Sequence, residues 1–210
     1  MDSGEFAKGQ LFNIAVRETS GETLVLLDVD IRPGGIDFVK HIREADMPFI
    51  SFNRLDRGNI IAPMEYEVTK PGKICGDLGG VMCLTRQQFV AANGFSNLYF
   101  GYGFEDHCIT IRTGFRRIPG RVLHIEHPVV ARNPPLFEHN RLMAKTEVTR
   151  TWQKDGMKQT RCRMLGKPVA PYGSPEERGI MFLSVWDVYV DDDFEYMDLY
   201  KEGRALCPKM

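Results

Sequence analysis

A chain of 210 residues sits at the upper end of single-domain size and is long enough to bury one sizeable core. Its 27 basic and 28 acidic residues leave a formal net charge of -1, which gives no reason to expect a nucleic-acid partner or an anionic membrane surface. Apolar runs such as Leu24 to Leu27 fall far short of the ~20 residues a membrane helix needs, and the opening MDSGEF is polar and acidic where a signal peptide is basic and then apolar. The expectation is therefore a protein that works where it is made, in the cytoplasm, or the lumenal fragment of a secretory-pathway enzyme whose anchor has been left off.

Along the chain, Leu11, Phe12, Ala15 and Val16 recur at helical spacing and predict a helix over 8–17. After Gly21, Thr23-Leu-Val-Leu-Leu-Asp-Val-Asp30 reads as a strand buried on both faces, as in a parallel sheet. Arg32-Pro-Gly-Gly35 ends it, and a short helix is expected from Ile36 to Glu44. Strands are predicted at 48–52, at 60–70 despite Pro63, and at 79–85, where Thr85 can cap a helix over 86–92 stopped by Asn93-Gly94. A helix over 105–113 closes on Gly114; a strand follows at 121–125, a longer helix at 135–152, and a last strand at 180–190 before an acidic tail. Strands alternating with helices predict one α/β domain over 1–210, with a mostly parallel central sheet flanked by helices. The five cysteines form no CxxC pair and read as free thiols, with a Cys75–Cys83 disulfide as the alternative in a secretory chain.

Three segments can carry chemistry. Asp28 and Asp30 end the most apolar strand, where ligands of open α/β sheets bind; two carboxylates there call for a hard divalent cation, or they begin a turn. His124-Ile-Glu-His127 follows another strand and offers imidazoles suited to Mn or Zn, or structural histidines bonded to nearby carbonyls. Glu105-Asp106 opens a helix after Tyr99-Phe-Gly-Tyr-Gly-Phe104. Helix-dipole stabilisation explains the two acids by itself; a ligand-approaching glycine loop, aromatic faces for sugar rings and a general base explain the whole stretch. Asp191-Asp-Asp193 reads as a solvated tail, and Arg112, Arg116 and Arg117 as an exposed helix side with the loop after it.

Taken in order, Phe6-Ala-Lys-Gly-Gln-Leu-Phe-Asn13, Leu26-Leu-Asp-Val-Asp30, Leu78-Gly-Gly-Val-Met-Cys-Leu-Thr85, Gln88-Phe89, Asn93-Gly-Phe95, Phe100-Gly-Tyr-Gly-Phe-Glu-Asp106, His124-Ile-Glu-His127 and Asp155-Gly156 resemble the β-1,4-galactosyltransferase family. The resemblance includes its xylosylprotein and N-acetylgalactosamine-transferring relatives. It implies a GT-A fold and an inverting, metal-dependent transfer of galactose or N-acetylgalactosamine from a UDP-sugar to a glycan acceptor. It implies Asp30 and His127 as metal ligands, with His124 where the family has Met or another ligand; Mn2+ is the expected cofactor and Mg2+ the alternative. Asp106 matches the catalytic base and Glu105 its neighbour on the acceptor or donor sugar. Asp28 falls near the donor ribose or sugar, Gly79 and Gly80 line the donor-sugar site, and Phe6 and Lys8 touch uracil and phosphates. Tyr102 stands where the family often has Trp.

The chain departs from the family in having almost nothing ahead of Phe6, where an N-terminal strand is usual, and in His107-Cys108, which replace further acidic residues. A non-catalytic sugar-nucleotide- or carbohydrate-binding domain is therefore the alternative to an enzyme. A metal-dependent hydrolase is the third reading and lacks clustered extra ligands.

Overall fold

The computed structural model describes residues 7–28, 40, 81–118, 133–146, 151–164 and 186–207, together with the backbone of short strands at 31–34, 49–51, 54–56, 59–60, 68–69 and 121–124. Helix α1 (Lys8–Arg17) turns Gly9, Gln10, Asn13, Ile14 and Val16 inward, so its buried side is part apolar and part amide. Strand β1 (Thr23–Leu27) follows, and β2 (Ile31–Gly34), β3 (Phe49–Ser51), β4 (Arg54–Asp56), β5 (Asn59–Ile60) and β6 (Val68–Thr69) are short. Strand β7 (Val81–Thr85) runs directly into α2 (Arg86–Ala91) through a capping box: Thr85 accepts from the Gln88 amide while the Gln88 side chain accepts from the Thr85 amide. Helix α3 (Glu105–Thr113), β8 (Phe115–Ile118), β9 (Arg121–His124), α4 (Pro134–Lys145), β10 (Thr160–Met164), β11 (Trp186–Val190) and α5 (Met197–Ala205) complete the order.

The strands make a five-stranded sheet in the order β1-β7-β3-β8-β6, a four-stranded sheet β2-β9-β4-β5 and a β10-β11 ribbon. The α/β class holds, but most described pairings are antiparallel; only β3 with β8 and β4 with β9 run parallel. Only β4 and β5 are close enough along the chain to require a hairpin; the other antiparallel pairs join strands more than 20 residues apart, so chain separation alone does not set their direction. Strand β1 shows why its composition misleads. It ends the sheet, paired with β7, and alternates exposed Thr23, Val25 and Leu27 with buried Leu24 and Leu26 instead of burying both faces.

Other expectations shift too. Of the 60–70 strand, Ile60 ends β5 and Val68–Thr69 form β6, with the rest outside the described residues, and the 36–44 helix lies outside them apart from helical Lys40. The long helix stops at Lys145 and Trp152 sits in a turn. Beyond the acidic residues stands a helix, α5, where only a tail was expected. Arg112 is buried at 3% exposure, not on an exposed helix side, and Arg116 is half-buried in β8. Cys83 and Cys108 are buried free thiols, and burial pushes Cys83 up to about 12; Cys75 lies outside the described residues.

Two apolar clusters divide the interior. One joins Val16, Leu24, Leu26, Leu84, Phe89, Phe95, Ile109 and Phe115; the other joins Ala7, Leu98, Tyr99, Phe100, Cys108, Leu136, Met143, Phe194 and Tyr200. Beneath both runs a buried polar network. Asn13 brackets the Phe95 peptide, donating to its carbonyl at 3.0 Å and accepting from its amide at 2.9 Å. Asp155 accepts from the Asn97 amide at 2.9 Å and from Ser96, and pairs with Arg112 at 3.4 Å.

Candidate active site

The ends of three elements converge on one ammonium. Lys8 opens α1, Asp28 follows the last residue of β1, and Glu105 and Asp106 fill the first turn of α3. The Lys8 Nζ lies 3.0 Å from Asp28 Oδ1, 2.9 Å from Glu105 Oε1 and 3.1 Å from Asp106 Oδ1. It also donates to Asp106 Oδ2 at 3.2 Å. The side chains of Lys8 and Glu105 are 14% and 10% exposed, while Asp106 and Asp28 open further, to 25% and 33%.

The electrostatics follow from that placement. Burial by itself works against a charged Lys8, but Asp106, Glu105 and Asp28 outweigh it and hold its pKa above the ordinary lysine value. Burial also raises Asp106, and the adjacent Glu105 raises it further; Lys8 pulls the other way, leaving the Asp106 carboxyl at about 7. Glu105 Oε2 is buried and has no hydrogen-bond partner among the described residues.

The loop before α3 is shaped by backbone torsions few residues adopt. Phe104, the N-cap of α3, has φ 74°, a left-handed conformation costly for a bulky residue. Its ring packs 5.2 Å from Phe137 and 5.5 Å from His107, which holds the turn in place. Gly101 has φ 62°, and a Cβ there would lie 2.6 Å from Leu136, so only glycine lets the loop approach α4 this closely. Tyr102, between these points, is 64% exposed.

Helix α4 grips the loop through a residue that sequence reasoning did not single out. Asn140, fully buried, donates to the carbonyls of Phe100 at 2.7 Å and Tyr102 at 3.4 Å, and accepts from the Phe100 amide at 3.4 Å. The only available signal was an amide inside an otherwise amphipathic helix, a position that asks where its hydrogen bonds go.

Of the residues expected at the site, Lys8, Asp28, Glu105 and Asp106 are brought together and Tyr102 stands in the loop leading to them. Phe6, Asp30, Gly79, Gly80 and His127 lie outside the described residues, as does the side chain of His124. The backbone of His124 ends β9 directly opposite Ile31 of β2, so the residue after Asp30 is its cross-strand partner. A carboxylate with imidazoles is a donor set that suits Mn2+, and suits Mg2+, which prefers oxygen ligands, less well. Among the described residues no group of three or more His, Cys, Asp or Glu is arranged as a metal site. Nor is any described helix long and apolar enough to cross a membrane.

A family model described as the N-terminal domain of galactosyltransferase matches residues 66–128. The chain is 27% identical over 165 residues to human β-1,4-galactosyltransferase 4, covering 73% of this chain and 44% of that protein. It is 28% identical over 187 residues to rat β-1,4-galactosyltransferase 3, covering 80% of this chain and 42% of that protein. Among solved structures it is similar to the catalytic domain of Drosophila β1,4-galactosyltransferase 7 in complex with xylobiose. The TM-score is 0.55 at 17% identity, over 95% of this chain and 81% of that one. A mutant of the same enzyme in complex with manganese, UDP-Gal and xylobiose also gives 0.55, at 18% identity over 95% of this chain and 81% of that one. The chain spans less than half the length of these curated relatives.

Proposed function

We propose, from a resemblance to the β-1,4-galactosyltransferase family that motifs, family model and fold all carry, that this chain is the catalytic domain of an inverting, metal-dependent glycosyltransferase. Its donor is a UDP-sugar, UDP-galactose or UDP-N-acetylgalactosamine, and its acceptor is a hydroxyl of a glycan or glycoconjugate. The solved relative in complex with manganese and UDP-Gal supports the donor and the metal.

The observation that carries the reading is the Asp106 carboxylate, a quarter exposed in the first turn of α3, beside the loop that presents Tyr102, with its pKa at about 7. A general base works best when its pKa lies near the working pH. In this reading Asp106 takes the proton from the acceptor hydroxyl as that oxygen attacks the anomeric carbon, and UDP departs from the opposite face. Direct displacement of this kind uses no enzyme nucleophile. Glu105 stands beside Asp106 as the neighbour that meets the acceptor or donor sugar, and Tyr102, 64% exposed, gives a sugar ring an aromatic face. Asp28 meets the donor ribose or sugar, Gly79 and Gly80 let the donor sugar approach the backbone, and Phe6 meets the uracil, while Lys8, expected at the nucleotide, is held in this structure by Asp28, Glu105 and Asp106. A divalent cation held by Asp30, His127 and His124 supplies counter-charge to the departing diphosphate.

Calorimetric titration of UDP with Mn2+, with Mg2+ and with EDTA tests the donor site, and transfer by Asp106→Asn tests the base. Metal-dependent UDP binding together with loss of transfer in Asp106→Asn is the expected result. Transfer at the wild-type rate in that variant overturns the base. Metal-dependent UDP binding without transfer to any glycan favours a non-catalytic binding domain.

A further inference from the structure

Among the described residues Lys8 is the one side chain in contact with all three carboxylates at this site, and each comes from a different direction: the end of β1, and two successive residues of α3. An ammonium suits that task because its charge is compact and its three donors rotate freely, whereas a planar guanidinium carries the same charge with donors in fixed directions. Glu105 and Asp106 are neighbours in one largely buried helical turn. Without Lys8 they would face each other and Asp28 with no other basic side chain in contact with all three among the described residues.

We propose that Lys8 is a positioning residue for the transfer reaction: its ammonium ties Asp28 to Glu105 and Asp106 and supplies, from within the chain, the counter-charge that holds them aimed at one place. The proposal rests on the glycosyl-transfer reading for its consequence, but the tie needs no substrate to be seen. It follows that this half of the site assembles without a divalent cation. The groups facing Asp106 are Lys8 from α1, Asp28 from the end of β1 and Glu105 from its own helix. Lys8 is the cation among them, so its removal makes Asp106 harder to ionise.

The test is a carboxyl-carbon NMR titration of Asp106 in the full chain in EDTA, with Asp106→Asn to assign the signal. Lys8→Met is expected to move the Asp106 midpoint up by about one to three units, the range for losing an opposite charge at this distance. Lys8→Arg, which keeps the charge, is expected to return it close to the wild-type value. An unmoved midpoint in folded Lys8→Met overturns the proposal. Should Lys8→Met not fold, the Lys8 ammonium signal of the wild-type chain decides: slow proton exchange in EDTA supports the tie, and exchange as fast as a surface lysine's overturns it. Where transfer is measured, the acid limb of kcat/KM in Lys8→Met moves to higher pH, whereas simple loss of structure lowers the rate equally at every pH. A wild-type chain that titrates as expected yet transfers no sugar sinks the reaction, and the tie stands.

Discussion

Asp106 couples the proposed chemistry to stability through one proton. With its carboxyl at about 7, up from an ordinary 3.8, the group is ionised only above neutrality, so kcat/KM is expected to fall about tenfold per pH unit below about 7. The same shift has a sign for folding. A carboxyl whose folded pKa lies above its unfolded value binds its proton more tightly when folded, so its contribution to stability is lost as pH rises from about 4 to about 7. In metal-free buffer Asp106→Asn is therefore expected to melt above wild type at pH values beyond about 7, with the gap closing towards about pH 4. A gap that does not change with pH would show that the carboxyl titrates in its ordinary range. Deeper down, Arg112 and Asp155 form a pair with both side chains at 0% exposure. Asp155→Ala leaves a buried cation without its partner and is expected to cost about 3–5 kcal/mol in urea unfolding. Sequence reasoning found Asp106, because an acid opening a helix after a glycine-aromatic loop is a local pattern. It missed Arg112, whose partner lies 43 residues further along the chain and leaves no local trace.

At the scale of elements, the loop at 99–104 is fixed from outside itself. Asn140→Ala removes its hydrogen bonds to Phe100 and Tyr102 and leaves the buried Phe100 amide unpaired, at a cost of about 1–3 kcal/mol. The expected result is a lower transfer rate with unchanged metal-dependent UDP affinity, measured by kinetics and calorimetry side by side. Equal losses in both would place Asn140 in general stability instead. Helix α1 was legible from its apolar spacing, and α2 and α3 because caps and breakers mark them locally: Thr85 with Gln88, Asn93-Gly94 and Gly114. Strand direction was not legible. Pairing is a property of two segments, and the apolar run of β1 looks the same at a sheet edge as at its centre. Helix α5 was hidden by the acidic residues ahead of it, although Tyr200 and Gly203 form its buried side.

Across the whole molecule, the candidate site sits on the seam between the two apolar clusters. Ala7, next to Lys8, belongs to one cluster and Leu26, two residues before Asp28, to the other; Cys108 and Ile109 carry α3 into both. Helix α5 closes the second cluster: Tyr200 packs edge-on to Phe100 at 5.3 Å, and a Cβ on Gly203 would lie 2.7 Å from His139 Nε2 and 2.8 Å from Phe100 Cδ2. Gly203→Val is expected to lift α5 from this contact, lower the melting temperature and slow transfer through Phe100, whose backbone Asn140 grips. A wild-type melting temperature would show that α5 tolerates the displacement.

Helix α1 is made before the partners that complete it. Its side chains bond almost entirely to residues far downstream: Lys8 to Asp106, Gln10 to Asn97, Asn13 to Phe95 and Thr160, and Arg17 to Thr160. On the ribosome the buried amides of Gln10 and Asn13 therefore wait until residues 95–97 have cleared the exit tunnel, and Arg17 waits for residue 160. Locally sealed units such as the β7–α2 junction have no such wait. A nascent chain stalled before those residues emerge would hold formed fragments around an undocked α1, and that intermediate is the one a chaperone would meet.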